Sequence, residues 1–257
     1  MNGTPVDIAA IRHPGEKAAF VVLLIASFIT LVGLAISMVG LLYLGLFVLI
    51  GWLAKILALA GIRGGGIRVS AEQYPKIHEY VLAFMRRLGL KHEPEVYVLQ
   101  ATVMNAFATK VIGRRYVVLY SHLVDAALES GDYDEVALIL GHEMAHLAAG
   151  HVRWSSFLQL GFWIPFLYLY WSRRAEYTCD RAGLLLVTKL TPSLQGIIKL
   201  AVGRKLAAST NLAALRRQKE QVSEEIGPKL VEIFSTHPFT IKRITAIEDF
   251  ARVQGVA

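Results

Sequence analysis

From residue 18 to residue 54 the chain runs 37 residues without a charged side chain. A helix over this stretch would extend about 55 Å at 1.5 Å per residue, whereas a bilayer's hydrocarbon core is about 30 Å thick. One straight span is therefore too short an account of it. Two spans, over residues 18–37 and 41–62, use all of it and require a tight turn around Ser37 and Gly40. Gly33, Gly40, Gly45 and Gly51 would let the two helices approach closely. Lys55 would snorkel near the end of the second. A cleaved signal peptide has an apolar region of only about 7–15 residues followed by a small-residue cleavage site, and nothing here is that short. The other reading is a buried helical hairpin in a soluble protein.

Composition narrows the rest. The chain is 54% hydrophobic and 18% charged, against about 45–50% and about 25% for soluble domains, which excludes a disordered chain. Beyond the apolar end, about 190 residues remain, enough for one domain with its own core. The single cysteine, Cys179, excludes a disulfide framework and a multi-cysteine metal site. Of the net charge of +7, the first 61 residues carry three basic and two acidic side chains, leaving +6 beyond them. Such an excess suits an anionic membrane surface or acidic partners. The pairs Arg86-Arg87, Arg114-Arg115, Arg173-Arg174 and Arg216-Arg217 are scattered and form no nucleic-acid-binding tract. Arg12 and Lys17 precede the first span, and Lys55, Arg63 and Arg68 mark the end of the second. A hairpin puts both flanks on one side, and their basic bias predicts the cytoplasmic one.

The run Gly61-Ile62-Arg63-Gly64-Gly65-Gly66 reads as a linker and sets the expected boundary between an anchor, 1–62, and a second unit, 63–257. Ser70 opens a helical pattern that continues to Leu88. Residues 95–100, 102–109 and 115–121 read as strands, the last two joined by a turn at Ile112-Gly113-Arg114-Arg115. Residues 122–128 look helical, and Asp132 with Glu135 opens a further helix. From Pro192 onward the pattern is helical, broken near Pro228 and Pro238. The expected fold class is α+β: several helices and one small sheet, preceded by the transmembrane hairpin.

The helix after Asp132 contains His142-Glu143-Met144-Ala145-His146. Histidines four apart are about 400° apart in helix rotation, so they lie about 40° apart on one face and can hold one cation. Glu143 lies about 100° round from His142, beside the cation, where a base acting on a water would sit. Catalytic zinc takes three protein ligands and keeps one position open. His151 reads as a surface residue or one behind the ligands. The metzincin pattern is excluded, because Ala149 and Val152 stand where it needs Gly and His. The better third candidate is Glu176, which shares a helix face with Asp180. If Glu176 binds the metal, Asp180 can accept the free N–H of a ligand histidine and fix its tautomer. Otherwise the two belong to a surface ion network with the neighbouring arginines.

Four motifs then occur in a telling order. They are His142 to His146; Glu176 with Asp180; Asn105-Ala106-Phe107-Ala108-Thr109; and Thr236-His237-Pro238 followed by Arg243-Ile244. From about Tyr74 to Phe250 the chain resembles the HtpX-like zinc metalloendopeptidases, a family that also includes the CAAX prenyl proteases. The resemblance implies a gluzincin-type, mainly helical zincin-like domain with one Zn2+ held by His142, His146 and Glu176. It implies Glu143 as the base, Asp180 behind the ligands, and His237 steadying the oxyanion. The strand carrying Asn105, Ala106 and Phe107 would pair with an extended protein or peptide substrate. It also implies an integral membrane protein of the cell inner membrane, its catalytic domain facing the cytoplasm, acting on misfolded membrane proteins. The alternatives are a prenyl-protein protease and a non-catalytic metal-binding membrane module. Nothing here sets the oligomeric state.

The chain departs from that family's pattern in places. Cys179 stands where Ala is common and reads as a small apolar substitute; Lys110 stands where Gly is common and would alter the turn after the substrate strand. Residues 155–171 are almost wholly apolar. A single span there would put Glu176 across the membrane from His142. Two spans need about 40 residues, and only 29 separate His146 from Glu176. The segment is therefore a buried helical connection or one that dips into the membrane interface, as its aromatics and Pro165 suggest.

Overall fold

The computed structural model describes residues 3–101 and 105–256. A short helix, α1 (Ile8–Ile11), precedes two long apolar ones, α2 (Glu16–Ile36) and α3 (Met38–Gly65). Their mean hydropathies are 2.8 and 2.2, and both are long and apolar enough to cross a membrane. Ser37 alone separates them, and its hydroxyl accepts the Gly40 N–H at 2.8 Å, capping α3. Only Gly40 and Ile62 are buried along α3. The glycines do not act as the expected packing seam. A side chain at Gly33, Gly45 or Gly51 would meet nothing within 4 Å, and only Gly40, at the turn, is crowded.

The glycine run is not a linker either. Gly61, Gly64 and Gly65 lie in the last turns of α3, which ends when the Gly66 N–H returns to the Ile62 carbonyl at 2.9 Å. Glycine in a helix costs about 1 kcal/mol relative to alanine. Packing outweighs that here, because Leu59 and Ile62 lie on the sheet against Tyr97, Tyr116 and Val118. Strand β1 (Ile67–Arg68) follows at once, too short to show an alternation in sequence. Helix α4 (Pro75–Arg87) starts later than its periodicity predicts. Ser70 instead closes a turn, its hydroxyl accepting the Glu72 and Gln73 N–H groups, and Pro75 takes the first helical position.

Strands β2 (Glu95–Leu99), β3 (Ala106–Val111) and β4 (Arg114–Tyr120) complete a sheet of order β1-β2-β4-β3. The expected start of β3 at residue 102 lies outside the described residues. β2 and β4 pair in parallel; β3 pairs antiparallel with β4, Ala106 opposite Leu119, and its other edge pairs with no strand among the described residues. Alternation sorts the side chains. Val96, Val98, Val117 and Leu119 enter the main core, whereas Tyr97, Tyr116 and Val118 meet the end of α3.

The remainder is helical: α5 (Ser121–Ser130), α6 (Asp134–Ala149), α7 (His151–Leu158), a 3-10 turn (Gln159–Gly161), α8 (Leu167–Val187), α9 (Leu190–Val202), α10 (Arg204–Ala207), α11 (Leu212–Glu224), α12 (Ile226–Ile233) and α13 (Thr240–Gln254). Pro228 does not break this region. It sits in the first turn of α12, where no N–H is needed, and the break falls at the extended Glu225. The mainly helical α+β class with a small sheet matches the expectation.

Helices α6 and α8 form the centre. Their close approach depends on Gly183, where an added Cβ would lie 3.1 Å from both the Leu138 carbonyl oxygen and the Leu138 Cδ1. The carbonyl cannot move away without bending α6. We expect Gly183→Val to destabilise the fold by about 1–3 kcal/mol, read as a fall in thermal midpoint of several degrees in detergent. An unchanged midpoint would show that the helix pair has slack.

Residues 151–171 rise beside α2 and return. The Ser27 hydroxyl donates to the Leu158 carbonyl at 3.2 Å, Thr30 donates to the Leu160 carbonyl at 2.9 Å, and the Trp163 indole donates to Thr30 at 2.8 Å. Leu23, Leu158 and Trp171 form a buried cluster between them. A side chain at Gly161 would sit 3.2–3.3 Å from Leu23, Ala26 and Ser27, so the absence of one eases that approach. Thr30 stands 14 residues beyond Glu16, about 21 Å along the helix. Phe162, Trp163 and Phe166 remain exposed at the top of this loop.

Candidate metal centre and active site

The sequence of α6 makes it the central helix. Its first turn carries Asp134 and Glu135 at the positive end of the helix dipole, and Val136 through His142 are all buried. Gly150, at φ 82°, stops it and reverses the chain, so that His151 at the head of α7 faces back toward His146. α8 presents Glu176 and Asp180 to the same point.

There the structure brings three donor atoms together. His142 Nε2 and His146 Nε2 are 3.2 Å apart. Glu176 Oε1 lies 3.3 Å from His146 Nε2, and Oε2 lies 3.5 Å from His142 Nε2. Ligands about 2.0–2.1 Å from a tetrahedral zinc would stand about 3.3 Å apart. The donor set, two imidazoles and one carboxylate, is that of a catalytic zinc site, so both chemistry and spacing fit.

The surroundings fix these groups. Asp180 Oδ1 lies 2.9 Å from His142 Nδ1. Arg243, on α13, donates to both Asp180 oxygens at 2.6 and 2.8 Å and approaches Glu176 at 3.6 Å. Burial alone would raise the two carboxyls. Arg243 and His142 outweigh it for Asp180, and the two histidines outweigh it for Glu176, so both stay below the ordinary carboxylate range. Burial would also lower His142, but its bonds to Asp180 and Glu176 hold it up to about 10 without metal.

Behind His146 stands a second set. His151 is only 5% exposed, so it is no surface residue. Its Nδ1 is 3.0 Å from His146 Nδ1, and its Nε2 is 3.0 Å from Glu16 Oε1. Burial pushes it down to about 4, so the ring is neutral at physiological pH. Cys179 Sγ lies 3.6 Å from His151 Nδ1, close enough that His146, His151 and Cys179 form a second group of possible ligands. Burial, with Glu176 and Glu143 nearby, raises the thiol well above its usual value. Without a metal beside it, Cys179 is therefore held as a protonated thiol.

A cavity of about 710 Å³ opens in front of the histidines. Glu143 lines it, half-buried. Asn105, Ala106 and Phe107 line it from β3. The Asn105 side chain accepts the Ala106 N–H at 2.8 Å, and Phe107 leans edge-on against Tyr120. His237, 63% exposed, also lines the cavity, its Nε2 3.6 Å from Glu176 Oε1. Lys55 of α3 and Lys110 of β3 line the same cavity. Lys55 also donates to Ser156 at 3.1 Å, and α3 runs ten residues past it to Gly65.

Sequence reasoning missed three participants. Arg243 was visible as part of a motif but without a task. Glu16 and Thr178 carried no signal, because the residues they meet are distant in sequence. Arg12, at the end of α1 and four residues before Glu16, pairs with it.

A family model for peptidase family M48 matches residues 71–165 and 155–251. The chain is 25% identical over 228 residues to the plastoglobule-localized metallopeptidase 48 of Arabidopsis thaliana, covering 79% of this chain and 65% of that protein. It is 23% identical over 219 residues to a protease HtpX homolog of Helicobacter pylori, covering 70% and 68%. It is 27% identical over 199 residues to one from Sulfurihydrogenibium, covering 75% and 63%. The chain thus spans about two thirds of the length of these relatives. No solved structure matches it.

Proposed function

Because this chain belongs to peptidase family M48, we propose that it is a membrane-anchored zinc endopeptidase. One observation carries the reading: His142, His146 and Glu176 hold their donor atoms 3.2–3.5 Å apart with Glu143 on the same cavity wall. These three residues would hold one zinc ion. Bound there, zinc would acidify a water and polarise a peptide carbonyl.

The chain's own groups do the rest. Glu143 takes the proton of the attacking water and later delivers it to the leaving amine. His237 donates to the oxygen of the scissile carbonyl as it gains charge. Asp180, held by Arg243, keeps the His142 proton on Nδ1 and leaves Nε2 for the metal. The free edge of β3, with Asn105, Ala106 and Phe107, binds the substrate backbone as an added strand. The substrates are proteins or peptides; misfolded membrane proteins are the natural class for a cleft beside two apolar helices.

The proposed division at 62/63 falls in the last turns of α3, and Val6 and Ile11 also pack into the catalytic unit's core. Both ends of the hairpin meet the catalytic unit. Lys17, Arg63 and Arg68 stand there, which favours the cytoplasmic face of the inner membrane.

The test uses the detergent-purified chain, with zinc measured by elemental analysis and hydrolysis by fluorescent casein. We expect about one zinc per chain, casein cleavage abolished by chelation and restored by zinc, and no preference for a farnesylated peptide over its unmodified form. Cleavage that survives complete zinc removal would refute the zinc reading, and cleavage confined to the farnesylated peptide would refute the broad one.

A further inference from the structure

We propose that Glu16, in the first turn of the first apolar helix, is a positioning residue for the zinc ligand His146 and acts on it through His151. The inference rests on the ligand set just proposed.

Glu16 is fully buried although it heads α2, where a charged residue would ordinarily mark the water-facing flank. Its carboxylate meets Arg12, the Thr178 hydroxyl and His151 Nε2. The Thr178 oxygen in turn accepts the His13 N–H at 2.9 Å. Arg12 also donates to the Ala149 carbonyl at 3.0 Å, which ties the head of α2 to the end of α6.

The direction of each hydrogen bond follows from the acceptor at the end. A carboxylate only accepts, so His151 carries its proton on Nε2 and donates it to Glu16. That leaves a lone pair on His151 Nδ1. The 3.0 Å contact between the two Nδ1 atoms then requires the proton to sit on His146. His146 Nε2, which faces Glu176 and His142, is left free for metal. Glu16 thus does for His146, one ring removed, what Asp180 does for His142 directly. It fixes the tautomer and strengthens the donor nitrogen.

The two supports differ in origin. Asp180 shares α8 with Glu176. Glu16 arrives on α2, whose height is set by Leu23, Ser27 and Thr30 against residues 158–163. How the membrane helix sits against the catalytic unit therefore determines whether His146 has its backing. The anchor is part of the metal centre's wiring.

The test measures zinc affinity of the full chain in detergent by chelator competition, with the visible absorption of the cobalt-substituted protein as a second readout. Glu16→Gln keeps the shape and removes the charge. His151→Phe keeps the edge-on contact with Trp171 and breaks the connection. Each should weaken zinc about 10-fold or more and shift the cobalt bands. The double variant should be no weaker than the worse single one, because either change interrupts the same path. Zinc affinity at the wild-type level in Glu16→Gln, or losses that multiply in the double variant, would overturn the proposal. Should Glu16→Gln fail to fold, wild-type zinc affinity in His151→Phe would overturn it alone. Glu176→Ala is measured alongside. If that variant holds zinc like the wild type, the ligand set is wrong; if it loses zinc while Glu16→Gln does not, only the relay is.

Discussion

Replacing Glu143 by Gln will leave about one zinc per chain and remove casein hydrolysis by about 1,000-fold or more, within the range a positioned general base contributes. The reason is geometric. Glu143 lies next to His142 on α6 yet about 100° round the helix from it, so its carboxylate lines the cavity outside the cluster of three donors. Glutamine occupies the same volume and takes no proton. Metal content therefore holds while proton transfer fails. A variant with wild-type activity would remove Glu143 from the mechanism. A variant that loses zinc as well would place Glu143 among the ligands.

Glu176→Ala will do the reverse and lose the metal. Even partners behind the ligands typically cost 10–100-fold in affinity when removed, so loss of a ligand should exceed about 100-fold. The effect is enlarged by what is left behind. Glu176 is buried, and its oxygens face His142, His146, His237 and Arg243. Without it, the cationic Arg243 keeps only Asp180 as a buried counter-charge, and two imidazoles must hold the ion alone. Elemental analysis after dialysis against a weak chelator decides the point. Stoichiometric zinc in the variant would move the third ligand elsewhere, and His151 with Cys179 would be the place to look.

What could be read from the sequence was what depends on short-range spacing. The 3.6-residue period put His142 and His146 on one face of α6, and a four-residue step put Glu176 and Asp180 on one face of α8. The length of the apolar stretch called for two helices with a turn at Ser37, and two helices are present with Ser37 alone between them. The errors have a common physical source. Gly61, Gly64 and Gly65 look like a linker by propensity, but Leu59 and Ile62 dock on the sheet and keep the helix intact. Gly33, Gly45 and Gly51 look like a helix seam, but α2 spends its packing face on residues 158–163 instead. Glu16 went unread because its partner His151 is 135 residues away. β1 has two residues and owes its existence to β2. In each case a contact distant in sequence overruled the local preference.

The loop that climbs α2 has a consequence for how such an enzyme could ever be set free. Leu158, Gly161 and Trp171 are covered by Leu23 and its neighbours, and His151 finds its acceptor on Glu16. A nick after α3 that shed the catalytic unit from the bilayer would strip away that cover. The released piece would carry a raw apolar flank and an unbacked histidine. The packing thus ties the proposed catalytic unit to its two apolar helices: cut free of them, it would lose both the cover of this flank and the acceptor of His151.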